Sequence, residues 1–443
     1  MKKCADLKIN HDGRFIVKQD GSPFFWLADT AWELFHNLNR EEAVEYLSTR
    51  KSQQFTVIQA VALAEFDGLT VPNAYGRTPL LKNENGNFDP EFPDIDSEKY
   101  DYWNHVDFII DAACSLGIYI GLLPAWGDKF NLGWGTGPEI FTPENAYAYG
   151  KWIGTRYKDR DNIIWIMGGD RPIENETQML IVRNMAKGIK ESTHGRHLMT
   201  YHPTGGRSSS EQLHNESWLD FNMIQSGHGA LNIKNYEFVQ RDYSLIPVKP
   251  TLDGEPRYED HSVNFNPENG YFDDYDVRVA AYWAILSGAF GHTYGHHSIW
   301  SFNTRGKEYF PERTGYFVMD WREALHRPGG VQMKYVKELF MSRAFLELLP
   351  CQELVRDNYI GANYISAARG KKYAFMYTPN GLDINANIEI LDGDDIIANW
   401  YDTRKGEYIY AGMIKNKGII KFIPPSGGRN SDWVLVLDVA ENT

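Results

Sequence analysis

The chain has 443 residues, of which 42% are hydrophobic and 23% charged, an ordinary composition for a globular protein. Its formal net charge of −14 argues against nucleic acid or an anionic membrane as the main partner, because both are polyanions. No run of roughly 18 apolar residues occurs, so we expect no membrane span.

The chain is rich in aromatic residues, with 13 Trp, 26 Tyr and 23 Phe. Such a content fits a protein that stacks on flat ligands or sugar rings, although a large core also takes up aromatic side chains. The three cysteines have neither metal-like spacing nor the pattern of a disulfide framework. The composition therefore favours a ligand with flat faces without requiring one.

The N-terminal segment MKKCADLKINHDG contains lysines but no apolar stretch, so no export signal is visible. A chain from which a signal had been removed would look the same, which leaves a periplasmic or secreted location open. The sequence also leaves the oligomeric state open.

From about residue 24 to residue 297 the chain alternates short apolar strands, polar loops and helical patterns. One helix is predicted to begin after Asn39, where Asn-Arg-Glu-Glu has the form of a capping box. Another is predicted after Thr142, with Pro at its first position. The eight predicted strands are PFFWLADTAW, FTVIQA, IYIGLLPAW, NIIWIMGGD, HLMTYHP, FNMIQSGH, VKPTLDGE and GHTYGHH.

These strands are apolar along most of their length, as parallel strands covered on both faces require. Eight such strand–helix units are typical of a (β/α)8 TIM barrel, whose active site lies at the C-terminal ends of the strands. A doubly wound sheet is the competing α/β fold, but no G-x-G-x-x-G follows the first strand. We therefore predict a barrel domain over residues 1–345, which includes short N-terminal strands before the first barrel strand.

The pattern changes after about residue 345. Segments such as YISAARGKKYAFMYTPNG and DWVLVLDV alternate strands with Gly, Asn and Asp turns and contain no helical stripe. Residues 346–443 are therefore predicted to form an all-β sandwich domain.

Two carboxylates follow facing strands of the predicted barrel: Asp170 after the fourth strand and Glu255 after the seventh. Glycoside hydrolysis needs such a pair, about 5–5.5 Å apart in a retaining enzyme and about 6.5–9.5 Å apart in an inverting one. The sequence does not supply that distance. Taken singly, Asp170 could be a helix N-cap and Glu255 a solvated loop residue, but their placement as a pair favours catalysis.

The other strand ends carry aromatic side chains, histidines and amides, the groups that grip a polyhydroxylated ring. Three further residues, Arg171, Arg257 and Tyr258, are candidates to keep Glu255 ionised. The candidate substrate contacts are Asp29, Trp32, Trp126, His202, Gln225, His228, Tyr258 and Trp300.

The segments WLADTAW, IIWIMGGDRP, YHPTGG, IQSGH and DGEPRYE together resemble the apiosidase-like glycoside hydrolases of family 140. The resemblance covers nearly the whole chain, including a C-terminal domain of the collagen-binding type. It implies a retaining barrel hydrolase with Asp170 as acid/base and Glu255 as nucleophile. It also implies an apiose-linked branch of a plant pectic polysaccharide as substrate. The sequence departs from the commoner pattern of the clan of retaining barrel hydrolases to which that family belongs, because Gly169-Asp170 stands where Asn-Glu usually ends strand four.

Two rival functions stay open. A metal-dependent hydrolase on the same barrel could use the histidines of GHTYGHH with His202 and His228, although no H-E-x-x-H motif is present. A carbohydrate-binding protein without catalysis would use the same cavity. The favoured reading is a glycosidase that acts on an oligosaccharide and needs neither a metal nor a cofactor.

Overall fold

The computed structural model describes residues 4–308, 310 and 315–440. All eight predicted barrel strands are present in the expected order. They are β1 (Trp26–Thr30), β2 (Val57–Val61), β3 (Tyr119–Leu123), β4 (Ile163–Gly168), β5 (Met199–His202), β6 (Asn222–Gln225), β7 (Thr251–Asp253) and β8 (Gly291–Tyr294).

The barrel is assembled from two parallel sheets. Six strands form one curled sheet in the order β8-β1-β2-β3-β4-β5, and β6 pairs in parallel with β7. A parallel bridge between Thr251 and Ala289 joins β7 to the chain that enters β8. At the other seam the Thr200 hydroxyl donates to the Phe221 carbonyl oxygen at 2.6 Å. The predicted (β/α)8 architecture is therefore confirmed, with the strands divided between two sheets.

Side chains alternate between two apolar cores along the fourth barrel strand. In β4, Trp165 and Met167 pack in a cluster with the surrounding helices, whereas Ile164 and Ile166 pack in a cluster with residues of other barrel strands. Both faces of the strand are thus covered by apolar groups, which explains its continuous hydrophobic sequence.

The two helices predicted from their capping residues begin where expected. The Asn39 side-chain oxygen accepts a hydrogen bond from the Glu42 backbone N–H at 2.9 Å, and the Glu42 carboxylate accepts one from the Asn39 backbone N–H at 3.0 Å. Thr142 and Asn145 form the same reciprocal cap. The α-helices are Leu34–Asn37, Arg40–Ser52, Tyr102–Ser115, Pro143–Tyr157, Glu176–Ser192, Ser210–Leu213, Asn235–Tyr243, Asp274–Leu286, Trp321–Ala324 and Pro328–Met341.

None of the helices in the described parts of the chain has the length and apolar character needed to cross a membrane. Short strands flank the barrel, and they include the predicted N-terminal ones. They are Leu7–Ile9 paired with Ile16–Lys18, Leu80–Lys82 paired with Phe88–Pro93, and Arg207–Ser208 paired with β6. The 3-10 turns are Gly127–Lys129, Val263–Phe265, Pro267–Asn269, Phe345–Glu347, Gln352–Leu354, Gly361–Asn363 and Ile388–Ile390.

The C-terminal part is the predicted β-sandwich. A six-stranded and a three-stranded antiparallel sheet enclose a core to which Met376, Trp400 and Leu435 contribute. In spatial order the larger sheet contains Leu349–Pro350, Ser366–Arg369, Tyr373–Thr378, Trp433–Val439, Asp395–Asp402 and Glu407–Lys415. The smaller sheet contains Val355–Arg356, Ile384–Asn387 and Ile419–Phe422. The exact division of the chain between residues 345 and 346 stays a prediction.

A buried ion pair ties the sandwich to the barrel. The Arg278 guanidinium, on the helix that precedes β8, donates to both oxygens of Asp432 at 2.8 and 3.0 Å. Both side chains are fully buried. Such a bidentate pair fixes the two side chains relative to each other, and removal of Arg278 leaves the Asp432 charge in the interior without its cationic partner.

We expect Arg278→Ala to lower the free energy of unfolding by about 3–5 kcal/mol, because Asp432 would remain as a buried charge without its partner. Urea unfolding monitored by circular dichroism measures this change. Lys415→Ala is the control, since it breaks an exposed, solvent-screened pair with Asp395 and should leave the stability nearly unchanged. Equal effects of the two substitutions would contradict the assigned role of the buried pair.

Candidate active site

A cavity of about 900 Å³ opens at the mouth of the barrel. It lies at the C-terminal ends of the strands, where active sites of this fold are found. Eight of the ten residues predicted to form the site line it: Trp32, Trp126, Asp170, Gln225, His228, Glu255, Tyr258 and Trp300. Asp29 and His202 are not part of the lining.

The backbone after β4 turns sharply and carries Asp170 to the cavity. Gly168, Gly169 and Asp170 have successive φ angles of 83°, 128° and 51°. A Cβ atom at position 169 would lie 2.8 Å from Cε3 of Trp126, so the close approach of the chain to that ring requires glycine. The two glycines in the sequence motif therefore serve to aim the carboxylate.

The Asp170 carboxyl group lies at the edge of the cavity with 24% of its side chain exposed. Its Oδ2 atom accepts hydrogen bonds from Nη1 of Arg171 at 3.2 Å and from Nε1 of Trp134 at 3.3 Å. Burial and the negative charge of Glu255 raise the pKa of Asp170, and together they outweigh the positive charge of Arg171. The carboxyl group is therefore biased toward its protonated form.

Glu255 is in the opposite electrostatic state. Its Oε1 atom lies 3.1 Å from Nε2 of His228, and its Oε2 atom lies 2.9 Å from Nε2 of His202. Burial alone would raise the pKa of Glu255, but the contacts with the two histidines lower it to about 2. Glu255 is therefore a stable carboxylate across the physiological pH range.

The imidazole of His202 connects the two carboxyl-bearing segments. Its Nδ1 atom accepts a hydrogen bond from the backbone N–H of Asp170 at 3.3 Å, which leaves the ring proton on Nε2. That N–H faces Glu255 as a close contact whose alignment is poor for a hydrogen bond. In-register pairing of Gly168 with His202 brings these groups together.

Two sequence predictions about the support of Glu255 are wrong. Arg171 bonds to Asp170 and Glu65 instead, and the Arg257 guanidinium donates to the carbonyl oxygens of Asp276, Leu231 and Ile233. Histidines rather than arginines therefore hold the charge of Glu255. Tyr258 does line the cavity, and its pKa is raised well above the ordinary value by burial and by the charge of Glu255.

Asp29 lies buried in the barrel wall and does not line the cavity. Its Oδ2 atom accepts hydrogen bonds at 2.6 Å from the Tyr46 hydroxyl and from Nε of Arg50, and all three side chains are fully buried. These contacts link β1 to the helix Arg40–Ser52. The prediction that Asp29 contacts a sugar ring is therefore wrong. Asp29 instead connects the barrel wall to the neighbouring helix.

Five residues in the cavity wall carry buried polar atoms without a hydrogen-bond partner among the described residues. These atoms are Nε1 of Trp126, Oε1 of Gln225, Nδ1 of His228, Oε2 of Glu255 and the hydroxyl oxygen of Tyr258. Buried polar groups are rarely left unsatisfied, so an open set at a cavity indicates a polar ligand. Trp126 also packs against Trp32 with ring centroids 5.1 Å apart, which provides an aromatic wall beside these groups.

Sequence reasoning missed Glu65 and Trp134, which both line the cavity. Glu65 follows β2, and its Oε1 atom accepts a hydrogen bond from Nη2 of Arg171 at 3.2 Å. Burial raises the pKa of Glu65 to about 8, with Arg171 opposing the shift. The acid after an apolar strand was the available signal for Glu65, whereas Trp134 lies in a glycine-rich loop where no periodicity marks it.

The histidines of the GHTYGHH segment do not converge. Both ring nitrogens of His292 are buried and have no hydrogen-bond partner in the part of the chain that the structure describes. His296 pairs with Asp260 at 3.0 Å, and Nδ1 of His297 accepts a hydrogen bond from Nε1 of Trp300 at 3.4 Å. Within residues 4–308, 310 and 315–440, no group of three or more His, Cys, Asp and Glu side chains is arranged to hold a metal ion. His202 and His228 are instead both directed at Glu255.

Comparison with solved structures places the chain beside glycoside hydrolases. One structure, described as a glycoside hydrolase, is 34% identical and superposes with a TM-score of 0.90 over 99% of this chain and 98% of its own. A crystal structure of a glycoside hydrolase family 5 from Bacteroides vulgatus is 32% identical, with a TM-score of 0.88 over 98% of this chain and 93% of its own. A comparison with proteins of curated function finds no match.

The fold and these relatives define the protein as a glycoside hydrolase. The family model for the "Apiosidase-like, catalytic domain" matches residues 10–347, and the chain belongs to this apiosidase-like family. A second family model, the "putative collagen-binding domain of a collagenase", matches residues 349–438. The resemblance seen in the sequence is thereby confirmed at the level of the apiosidase-like family.

We expect Gly169→Ala to lower the free energy of unfolding by about 2–5 kcal/mol, since a Cβ atom would adopt a strained φ and collide with Trp126. Thermal and urea unfolding measure the loss. Gly229→Ala is a matched control in the same cavity, because its Cβ would meet open space. A Gly169 variant as stable as the control would show that the turn after β4 relaxes freely.

Proposed function

We propose that the protein hydrolyses a glycosidic bond in a pectic oligosaccharide by a retaining mechanism, with Asp170 as acid/base and Glu255 as nucleophile. The observation that carries the proposal is the opposite electrostatic bias of two carboxyl groups at one cavity. The pKa of Asp170 is raised, whereas that of Glu255 is lowered to about 2. Two carboxyl groups whose pKa values are pushed apart are suited to the roles of acid and nucleophile.

The reaction proceeds in two displacements. A carboxylate oxygen of Glu255 attacks the anomeric carbon while Asp170 gives its proton to the glycosidic oxygen, so that the leaving sugar departs as an alcohol. Asp170, now ionised, then takes a proton from water, whose oxygen attacks the anomeric carbon and breaks the ester to Glu255. Both residues return to their starting protonation states.

His202 acts as a positioning residue in this proposal. It ties the backbone of Asp170 to the carboxylate of Glu255 and so limits the relative motion of the acid and the nucleophile. His228 holds the other oxygen of Glu255 and is itself stacked on His261, with ring centroids 4.3 Å apart. Rigid support of this kind keeps the reacting groups in productive geometry.

The cavity wall supports a carbohydrate ligand. Trp32 and Trp126 offer aromatic surface, and the unpartnered polar atoms of Trp126, Gln225 and His228 can pair with hydroxyl groups. We further propose membership of family 140 and an apiose-linked pectic branch as substrate, on the motifs IIWIMGGDRP and DGEPRYE together with the apiosidase-like match.

We expect wild-type protein to release reducing sugar from pectic oligosaccharides, and Asp170→Asn to reduce the rate by about 10²–10⁴-fold through loss of the acid. Glu255→Gln should reduce it at least as much, because no covalent intermediate can form. The matched control is Asp67→Asn, an exposed carboxylate that does not line the cavity.

The same assay is repeated with EDTA, and the first-formed anomer is identified by proton NMR. Unchanged activity with EDTA and retained configuration agree with the proposal. A product with inverted configuration would show that Glu255 acts as a general base and not as a nucleophile. Abolition by EDTA, or persistence of activity in both carboxylate variants, would overturn the assignment of the site.

The pH dependence of kcat/KM follows from the two pKa shifts. Glu255 must be ionised, so activity is lost as pH falls through its pKa of about 2. Asp170 must be protonated, so activity is lost as pH rises through its raised pKa.

His228→Phe keeps a ring against His261 but removes the contact with Glu255, so the acidic limb should move up by about 1–2 pH units. His194→Phe, at an exposed position, is the control and should leave both limbs in place. An acidic limb that does not move would show that His228 does not stabilise the carboxylate.

A further inference from the structure

Trp134 is the only exposed tryptophan among the residues that the structure describes, with 62% of its surface accessible. Its ring lines the cavity rather than the outer surface of the barrel. A large aromatic side chain left open at a binding cavity indicates a surface that a ligand covers. The mechanism proposed above gives this ring no role.

The ring is held in place from one side. Its Nε1–H donates to Oδ2 of Asp170 at 3.3 Å, and the Arg171 guanidinium lies 4.4 Å from the ring centroid. Arg171 is fully buried and is itself fixed by its bonds to Asp170 and Glu65. One face of the indole therefore rests on a buried cation, which leaves the other face open.

The loop that carries Trp134, residues 127–140, is shaped to support this arrangement. A Cβ atom at Gly135 would lie 2.8 Å from Nη2 of Arg171 and 2.5 Å from Cβ of Asp128, so glycine is needed there for the close approach. The Asp128 carboxylate accepts a hydrogen bond from the Gly137 N–H at 3.0 Å and closes the loop. The ring is thus presented by a packed loop.

The position of Trp134 relative to the two carboxyl groups shows which part of the substrate would lie against its ring. Trp134 contacts Asp170, whereas Glu255 is surrounded by His202 and His228. In a displacement at the anomeric carbon the leaving group departs from the side opposite the nucleophile, where the acid stands. The group next to the acid is therefore the sugar that leaves.

We propose that the open face of Trp134 is the platform on which the leaving-group sugar ring stacks. This inference rests on the proposed function and adds to it the location of the leaving-group site and the residue that recognises the leaving sugar. The C–H face of a sugar ring matches the apolar indole surface, and its glycosidic oxygen then lies beside Asp170. Trp134 is thereby a specificity residue for substrates with a cyclic leaving group.

Two substrates separate this role from support of Asp170. One is the pectic oligosaccharide that the wild-type protein cleaves, and the other is the methyl glycoside of the sugar whose anomeric carbon is attacked. Methanol needs the acid to leave as much as a sugar does, but it has no ring to stack. We expect Trp134→Ala to lower kcat/KM on the oligosaccharide by about 10- to 100-fold and on the methyl glycoside by less than about threefold.

Two further variants serve as controls. Trp134→Phe keeps a ring face but loses the N–H, so its kcat/KM on the oligosaccharide should fall by less than about fivefold. Its alkaline limb should move to higher pH, because the Asp170 carboxylate loses a hydrogen-bond donor. Leu132→Ala alters an exposed apolar side chain of the same loop that does not line the cavity, and should match wild type.

Equal losses on both substrates would overturn the proposal, since Trp134 would then act only by holding Asp170. Unchanged activity on both would overturn it as well. In either case the wild-type protein still cleaves the oligosaccharide, so the proposed function survives. If wild-type protein releases no sugar from pectic oligosaccharides, the proposed function fails and this inference fails with it.

Discussion

The site depends on one buried imidazole that two carboxyl-bearing segments share. The backbone N–H of Asp170 occupies Nδ1 of His202, and this leaves the Nε2 proton facing Glu255. A rotated ring would lose the backbone bond and would withdraw the proton from the carboxylate. The tautomer and the ring orientation of His202 are therefore set by a single hydrogen bond, and with them one of the two histidine contacts that keep Glu255 ionised.

That contact exists because of strand register and glycine geometry. Pairing of Gly168 with His202 fixes the height of the imidazole relative to the end of β4, and the φ angles of Gly168 and Gly169 then turn the chain over the ring. The Asp170 side chain is one methylene shorter than the Glu that usually stands at this position. The sharp turn at Gly168 and Gly169 brings the backbone closer to the cavity and compensates for the shorter side chain.

The sequence predicted the features that depend on local pattern: the eight strands, the capping boxes, the sandwich and the carboxylates at strand ends. It mispredicted those that depend on partners distant in sequence. Asp29 ends a strand as the site residues do, but the buried Arg50 guanidinium captures it. Likewise, Arg171 was a candidate partner of Glu255, yet its guanidinium bonds to Asp170 and Glu65. Proximity along the chain identified candidates, and only the fold could pair them.

The electrostatics of the two carboxyl groups also explain how Asp170 can serve as both acid and base in the proposed mechanism. Its raised pKa depends on burial and on the negative charge of Glu255, which Arg171 opposes. Once Glu255 forms an ester with the sugar, that negative charge is gone while Arg171 stays 3.2 Å away. The pKa of Asp170 must then fall, and the residue is ionised when water has to be deprotonated. The nucleophile thus switches the acid to a base through its own change of charge.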